Sequence, residues 1–158
     1  MATALATAML AVAAGCGDEG SDGNGPRLSG QDAEVAATYK RYLAALNSGD
    51  GATVCQLLVP AGTEKLRPPA KRESCAEAVS DSIGHPGPGG LRWRSAKLTG
   101  RPEVDRSKRT ATLFVNVAST YTDGPTDAES GAVKLQRSGS DWLLTEPDAV
   151  LYHAIGQS

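Results

Sequence analysis

Aromatic residues are scarce in this chain: one Phe, two Trp and four Tyr among 158 residues. A core must then be built mainly from Ala, Val and Leu, which bury less surface per residue. A covalent crosslink would help such a thin core. Excess positive charge is also missing. Sixteen Lys and Arg face eighteen Asp and Glu, for a formal net charge of −2. Nucleic acid calls for a basic face, so this balance argues against it, and equally against a polybasic membrane patch. Long hydrophobic runs are absent. The N-terminal apolar stretch has about 13 residues, whereas a spanning helix needs about 20. Only two His occur. His85 sits in a Gly/Pro-rich segment and His153 among the last six residues, both poor places for a general base. There is no Gly-rich phosphate loop, no Gly-x-Ser-x-Gly elbow, no Asn-x-Ser/Thr acceptor and no internal repeat.

What is present begins at the N-terminus. Met1 to Ala14 is uncharged and mostly Ala, with Leu5, Met9, Leu10 and Val12. Its length matches the apolar region of a signal peptide. It closes on Ala13-Ala14-Gly15-Cys16. These residues resemble a bacterial lipobox, in which small residues precede a cysteine that takes a lipid and becomes the new N-terminus. The sequence departs from that pattern twice. The first cation is Arg27, where signal peptides usually begin with Lys or Arg, and Ala13 stands where Leu is commoner. An Ala-rich tail is one alternative. Secretion without lipid, after the small-x-small triplet Ala11-Val12-Ala13, is another. The lipobox reading makes 1–15 a signal peptide and Cys16 the attachment point. The protein would then sit on the extracytoplasmic face of the cell membrane. Residues 16–28 are rich in Gly and Asp with little to bury, and read as a tether of roughly 20 Å mean span.

A single domain is expected over 29–152, followed by a tail at 153–158. Ser29 is placed to cap a first helix. Val35, Tyr39, Tyr42, Leu43 and Leu46 form its apolar face, and Asn47-Ser48-Gly49 ends it. Asp50 caps a short second helix through Cys55, Leu57 and Leu58, stopped by Pro60 and Gly62. A third helix is expected from Lys71 to Ile83, with Cys75, Val79 and Ile83 on one side. Beyond the Gly/Pro segment 84–90 the period changes to two. Leu91-Arg92-Trp93-Arg94-Ser95 alternates, with extended character towards Val104, and Asp105 to Lys108 reads as a turn. Arg109 to Asp123 is the clearest strand, and Ala132 to Arg137 is another. Ser138-Gly139-Ser140-Asp141 turns the chain into a strand from Trp142 to Thr145. Helices first and an antiparallel meander after them indicate an α+β fold.

Cysteine arithmetic supports the lipid reading. Three Cys occur, at 16, 55 and 75, and an odd thiol in an exported protein needs explaining. Lipid on Cys16 leaves Cys55 and Cys75 as an even pair, expected as a structural disulfide between the second and third helices. Free buried thiols are the alternative. The spacing is neither Cys-x-x-Cys nor that of a zinc site.

The order of elements resembles nuclear-transport-factor-two-like domains. The resemblance is carried by Leu43-Ala44-Ala45-Leu46-Asn47-Ser48-Gly49-Asp50 with a short helix directly after it. It is carried also by the closing hairpin Val133 to Leu144, where a Gly turn precedes Trp142. The placement of Cys55 and Cys75 resembles a subset of small bacterial lipoproteins. The resemblance covers roughly 29–150 and implies a curved antiparallel sheet wrapped around helices into a cone. The superfamily includes ketosteroid isomerases, dehydratases and polyketide cyclases, together with many non-catalytic members.

Candidate pocket residues are Tyr39, Tyr42, Trp93, Tyr121 and Trp142. No catalytic set, metal site or cofactor site is assigned. Asn116 is expected to face solvent, and Asp123 and Asp141 fall at turns. Three functional readings stay open. One is a non-catalytic lipoprotein domain holding a small apolar or amphipathic molecule. Another is an interaction module that meets an envelope protein or a second copy of itself. The third is an isomerase or cyclase with its active site in the cone.

Overall fold

The computed structural model describes residues 27–66, 74–85, 90–124 and 126–147. Cys16, the apolar leader, most of the tether, Lys71, His153 and the C-terminal tail lie outside the described residues.

Helix α1 runs Gln31–Ser48 and buries Val35, Tyr39, Tyr42, Leu43 and Leu46, the stripe expected from the spacing. Its start differs from expectation. Gly30 is the N-cap, at φ 58°, and no side chain caps the helix. Ser29 lies one residue too early, because the left-handed turn at Gly30 redirects the chain first. Asp32 and Glu34 occupy the first turn, where the positive end of the helix favours carboxylates. At the far end Gly49 takes φ 72° and its N–H returns to the helix carbonyls, the usual glycine role after a helix.

Helix α2, Gly51–Gln56, is capped by Asp50, whose carboxylate accepts from the Thr53 N–H. Helix α2 ends at Gln56, short of the expected Leu57 and Leu58, and Pro60 opens α3, Pro60–Lys65, as its first helical residue, so that Gly62, expected as a stop, lies inside a helix. Sequence alone marked Pro60 only as a stop. A proline's missing N–H costs nothing at that first position. Helix α4, Cys75–Gly84, begins later than expected because Ser74 and Glu77 form a capping box.

The strands are β1 (Leu91–Leu98), β2 (Glu103–Asp105), β3 (Thr110–Tyr121), β4 (Thr126–Ser138) and β5 (Asp141–Leu144). They form one antiparallel sheet in the order β1-β3-β4-β5, with β2 pairing the start of β3. On β3, Ala111, Leu113, Val115 and Val117 face inward and are buried, while Phe114 and Asn116 face out. The sheet curls around the helices into a half-barrel, and one core joins α1, α2, α4 and the inner faces of β3, β4 and β5.

Strand β4 starts six residues before the expected Ala132. Thr126 to Gly131 pairs with β3 along its whole length, yet every residue in it is exposed. Backbone pairing holds it, so it carries no apolar alternation to read.

The β5 side of the sheet is covered. Val59 donates its N–H to the Leu144 carbonyl at 2.9 Å, and Leu144 donates to the Leu57 carbonyl at 2.8 Å.

Cys55 and Cys75 form a disulfide with a Cα–Cα separation of 6.2 Å. It ties α2 to the start of α4. Beside it, Gly51 packs so closely on α4 that a Cβ there would lie 2.2 Å from the Ala76 carbonyl oxygen. The Gly51 N–H donates to the Ser80 hydroxyl, which in turn donates to the Gly49 carbonyl, both at 3.0 Å.

Candidate functional site: a cone with a buried arginine

The inner face of β3, the stretch 129–134 of β4 and the middle of α1 line a half-open cavity of about 350 Å³. That volume lies within the range of small-molecule sites. Val115, Val117, Val133 and Leu144 make its wall, and Tyr39 closes it from α1. Gly131 stands opposite Val115 in the sheet register. A Cβ built on Gly131 would meet nothing within 4 Å. The glycine therefore leaves room that any larger residue would occupy.

One charged side chain is buried among these apolar groups. Arg94 is 2 % exposed. Its guanidinium donates from Nη2 to a Glu129 carboxylate oxygen at 3.3 Å. Glu129 belongs to the exposed half of β4, and its side chain is 61 % exposed. A buried cation in a low-dielectric site needs an anion close by, and Glu129 supplies one from the mouth. Glu146 also stands in the lining, with its carboxylate salt-bridged to Lys65 at 3.4 Å.

Arg94 reaches the interior because of an irregularity in β1. The register with β3 shifts between Leu91 and Trp93. Regular alternation would put Leu91, Trp93 and Ser95 on one face. The bulge flips the parity after Leu91, so Arg94 turns inward and Trp93 turns outward to 55 % exposure.

Backbone contacts fix Arg94 as well. The Asn47 side chain donates to the Arg94 carbonyl at 2.7 Å and accepts from its N–H at 2.8 Å. The last turn of α1 is thereby fastened to β1.

The five expected pocket aromatics are not brought together. Tyr39 lines the cavity and is almost wholly buried. Tyr42, its near-parallel neighbour with ring centroids 6.1 Å apart, packs one turn deeper in the core. Trp93 is corrected to the outer face by the bulge. Tyr121 lies at the end of β3 opposite Leu91 and takes no part in the lining. Trp142 is buried at the opposite end of the fold, beneath the Arg137 guanidinium at 5.4 Å. That site has its own ion pair, between Arg137 and Glu34. The Arg137 hydrogen bond, with help from its charge and the Trp142 indole, holds the Glu34 carboxyl below the usual carboxylate range.

His85 sits at the exposed end of α4 beside Asp81, 3.4 Å away. Asn116 faces solvent and accepts from the Ser130 hydroxyl. Among the described residues no group of His, Cys, Asp and Glu is arranged to hold a metal ion. No described helix is long and apolar enough to cross a membrane.

Solved structures share this architecture. A SEC-C motif containing protein from Rhodopseudomonas palustris superposes with a TM-score of 0.53 at 13% identity, covering 75% of this chain and 80% of that one. An NTF-2 like protein of unknown function from Shewanella oneidensis gives 0.50 at 14% identity, with 74% and 96% covered. The fold is the nuclear-transport-factor-two-like cone. A protein of unknown function from Mycobacterium tuberculosis matches the same cone with a TM-score of 0.50 at 16% identity, covering 80% of this chain and 85% of that one. No protein-family model and no curated protein sequence matches the chain. At these identities the likeness establishes the nuclear-transport-factor-two-like fold and leaves activity to be argued from the site.

Proposed function

We propose that this protein is an extracytoplasmic lipoprotein, anchored through Cys16, whose cone holds a small amphipathic molecule without transforming it. The observation that carries the reading is the cavity, with its apolar wall and single buried guanidinium. Such a lining suits a ligand with an apolar body and one polar group. At roughly 30 Å³ per group, the volume a water takes in the liquid, the space suits about a dozen heavy atoms.

The carboxylates in the lining stand at its wet rim. Glu129 and Glu146 are 61 % and 57 % exposed. A general base gains little over solvent unless the site dries it or tunes it. This favours holding over turnover.

Native mass spectrometry of protein purified in mild detergent tests the reading. The wild type is expected to carry a non-covalent adduct of low mass. Gly131→Phe, which fills the open space opposite Val115, is expected to lose the adduct while remaining folded. Adduct-free wild type that also fails to bind any member of a library of small amphipaths would overturn the ligand. Detergent-phase partitioning tests the anchor separately. Wild type is expected in the detergent phase and Cys16→Ser in the aqueous phase.

A second reading, an isomerase or cyclase, draws on one observation: Glu129 touches both the cavity and Arg94. It requires Glu129→Gln to abolish a reaction while leaving ligand binding intact. The interaction reading draws on the exposed rings of Trp93 and Phe114. Trp93 pairs with Thr120, six residues along β3 from Phe114. At about 3.3 Å per residue that is roughly 20 Å, too far apart for one continuous patch.

A further inference from the structure

A second recess lies at the opposite end of the sheet from Glu129. Arg106, Arg109 and Arg137 line a cleft of about 210 Å³, with Gln31, Gly139 and Trp142. Two of the arginines are three residues apart, and the third is 28 residues further along the chain. The β2–β3 turn supplies Arg106 and Arg109, and β4 delivers Arg137 alongside, its N–H donating to the Arg109 carbonyl at 2.8 Å.

Three like charges share this small space, and no acidic residue lines it. Arg137 has a carboxylate partner in Glu34 and stacks on Trp142. Among the described residues the Arg109 side chain donates only to a neutral group, the Gly139 carbonyl, at 3.3 Å. Arg106 makes no ion pair among the described residues. The nearby Asp105 is engaged within its own turn by Ser107 and Lys108. Asp32 and Asp141 stand at the same end of the fold but outside the cleft. Arg109 also holds a left-handed backbone, φ 56°, unlike any other described non-glycine residue. Gly or Asn would adopt that conformation more easily. The chain keeps a guanidinium at a position where its backbone is disfavoured.

Planar guanidinium forks match the oxygens of phosphate. The cleft is shallow, its two outer arginines are exposed, and its size suits a phosphate group better than a whole nucleotide. It also opens beside Gln31, the first residue of α1 and three residues beyond the expected tether, 16–28. We propose that this cleft binds a phosphate-type oxyanion presented by the headgroup of an anionic membrane lipid. The headgroup as source rests on the anchor at Cys16. A tether of roughly 20 Å mean span keeps the cleft near the bilayer surface. The overall charge of −2 conceals this local surplus, which exists only after folding.

The chain carries its own probe. Two Trp occur in the sequence, so Trp93→Phe leaves Trp142, in the cleft, as the single emitter. Full-length Cys16→Ser/Trp93→Phe protein is titrated with inorganic phosphate and, at matched ionic strength, with chloride. The same protein is sedimented with vesicles of phosphatidylcholine alone and with one-third phosphatidylglycerol. Phosphate is expected to change Trp142 emission saturably where chloride does not. The anionic vesicles are expected to retain several-fold more protein than the neutral ones. Adding Arg106→Gln and Arg109→Asn is expected to remove both effects about tenfold, with the circular dichroism and Tm unchanged. A phosphate response without vesicle preference would keep the oxyanion site and overturn the lipid source in favour of a soluble phosphorylated solute. Equal responses to phosphate and chloride, with equal retention on both vesicles, would overturn the site. Because the protein lacks the lipidated cysteine, these results stand apart from the partitioning test, and a failed anchor is told from a failed cleft.

Discussion

Asn47 satisfies both backbone polar groups of Arg94, donating at 2.7 Å and accepting at 2.8 Å. A side-chain amide thus acts as a short extra strand against β1, just where the bulge has turned Arg94 inward. Removing it leaves a partly buried N–H and C=O without their partner. Asn47→Ala is expected to cost about 2 kcal/mol and lower Tm by about 8 °C. Asn47→Asp keeps the acceptor, loses the donor and should fall between. Thermal denaturation by circular dichroism checks this; a Tm within 1–2 °C or so of wild type for the Ala variant would refute it.

The seat of α2 on α4 depends on the missing side chain of Gly51. A methyl group there would press on the Ala76 carbonyl and the Ser80 hydroxyl and push apart the Gly51–Ser80–Gly49 chain of hydrogen bonds. Gly51→Ala is expected to destabilise by about 2 kcal/mol, although alanine is the better helix former. Chemical denaturation would show a lower midpoint with an unchanged slope.

The disulfide closes a loop with 19 residues between its cysteines. Chain-entropy reasoning puts its contribution at about 3 kcal/mol. Purified protein should gain two hydrogens in mass on reduction and lose roughly that stability. Cys55→Ala/Cys75→Ala should match the reduced protein and no longer respond to reductant. An alkylation assay that labels both thiols in non-reduced protein would contradict the bridge.

Acid should weaken the fold through four surface carboxyls. Glu34 is lowered chiefly by Arg137, Asp50 by Thr53, and Glu77 by Ser74. Asp105 goes furthest, from 3.8 to about 2, held down first by the Ser107 hydroxyl and then by the Lys108 N–H. Each folded value lies below its unfolded one. The stabilisation is therefore complete above the unfolded range and drains away as pH falls through the folded values, between about pH 5 and pH 2. Asp105→Asn should flatten the lowest part of that decline. A Tm constant from pH 6 to pH 2 would contradict the assignment.

The fold was legible wherever burial imposed a period. The apolar stripe of α1, the alternation of Ala111, Leu113, Val115 and Val117, the Asp50 cap and the Gly turn before Trp142 all announce themselves in sequence. The first half of β4 did not, because Thr126 to Gly131 is exposed throughout and held by backbone pairing and polar side-chain bonds, with no apolar alternation. The cone's charged residue was hidden for a different reason. A bulge near Leu91 inverts which side chains point inward, so Trp93 looked like lining and Arg94 like surface. The arginine cleft was hidden because residues 106, 109 and 137 meet only once the hairpins form.

The contact of Leu57 and Val59 with Leu144 has a bearing on assembly. Among the described residues it engages the outer strand β5, while Asn47 takes both backbone groups of Arg94 on the other outer strand, β1. A neighbouring molecule adding a strand at Leu144 or at Arg94 would first have to displace these contacts.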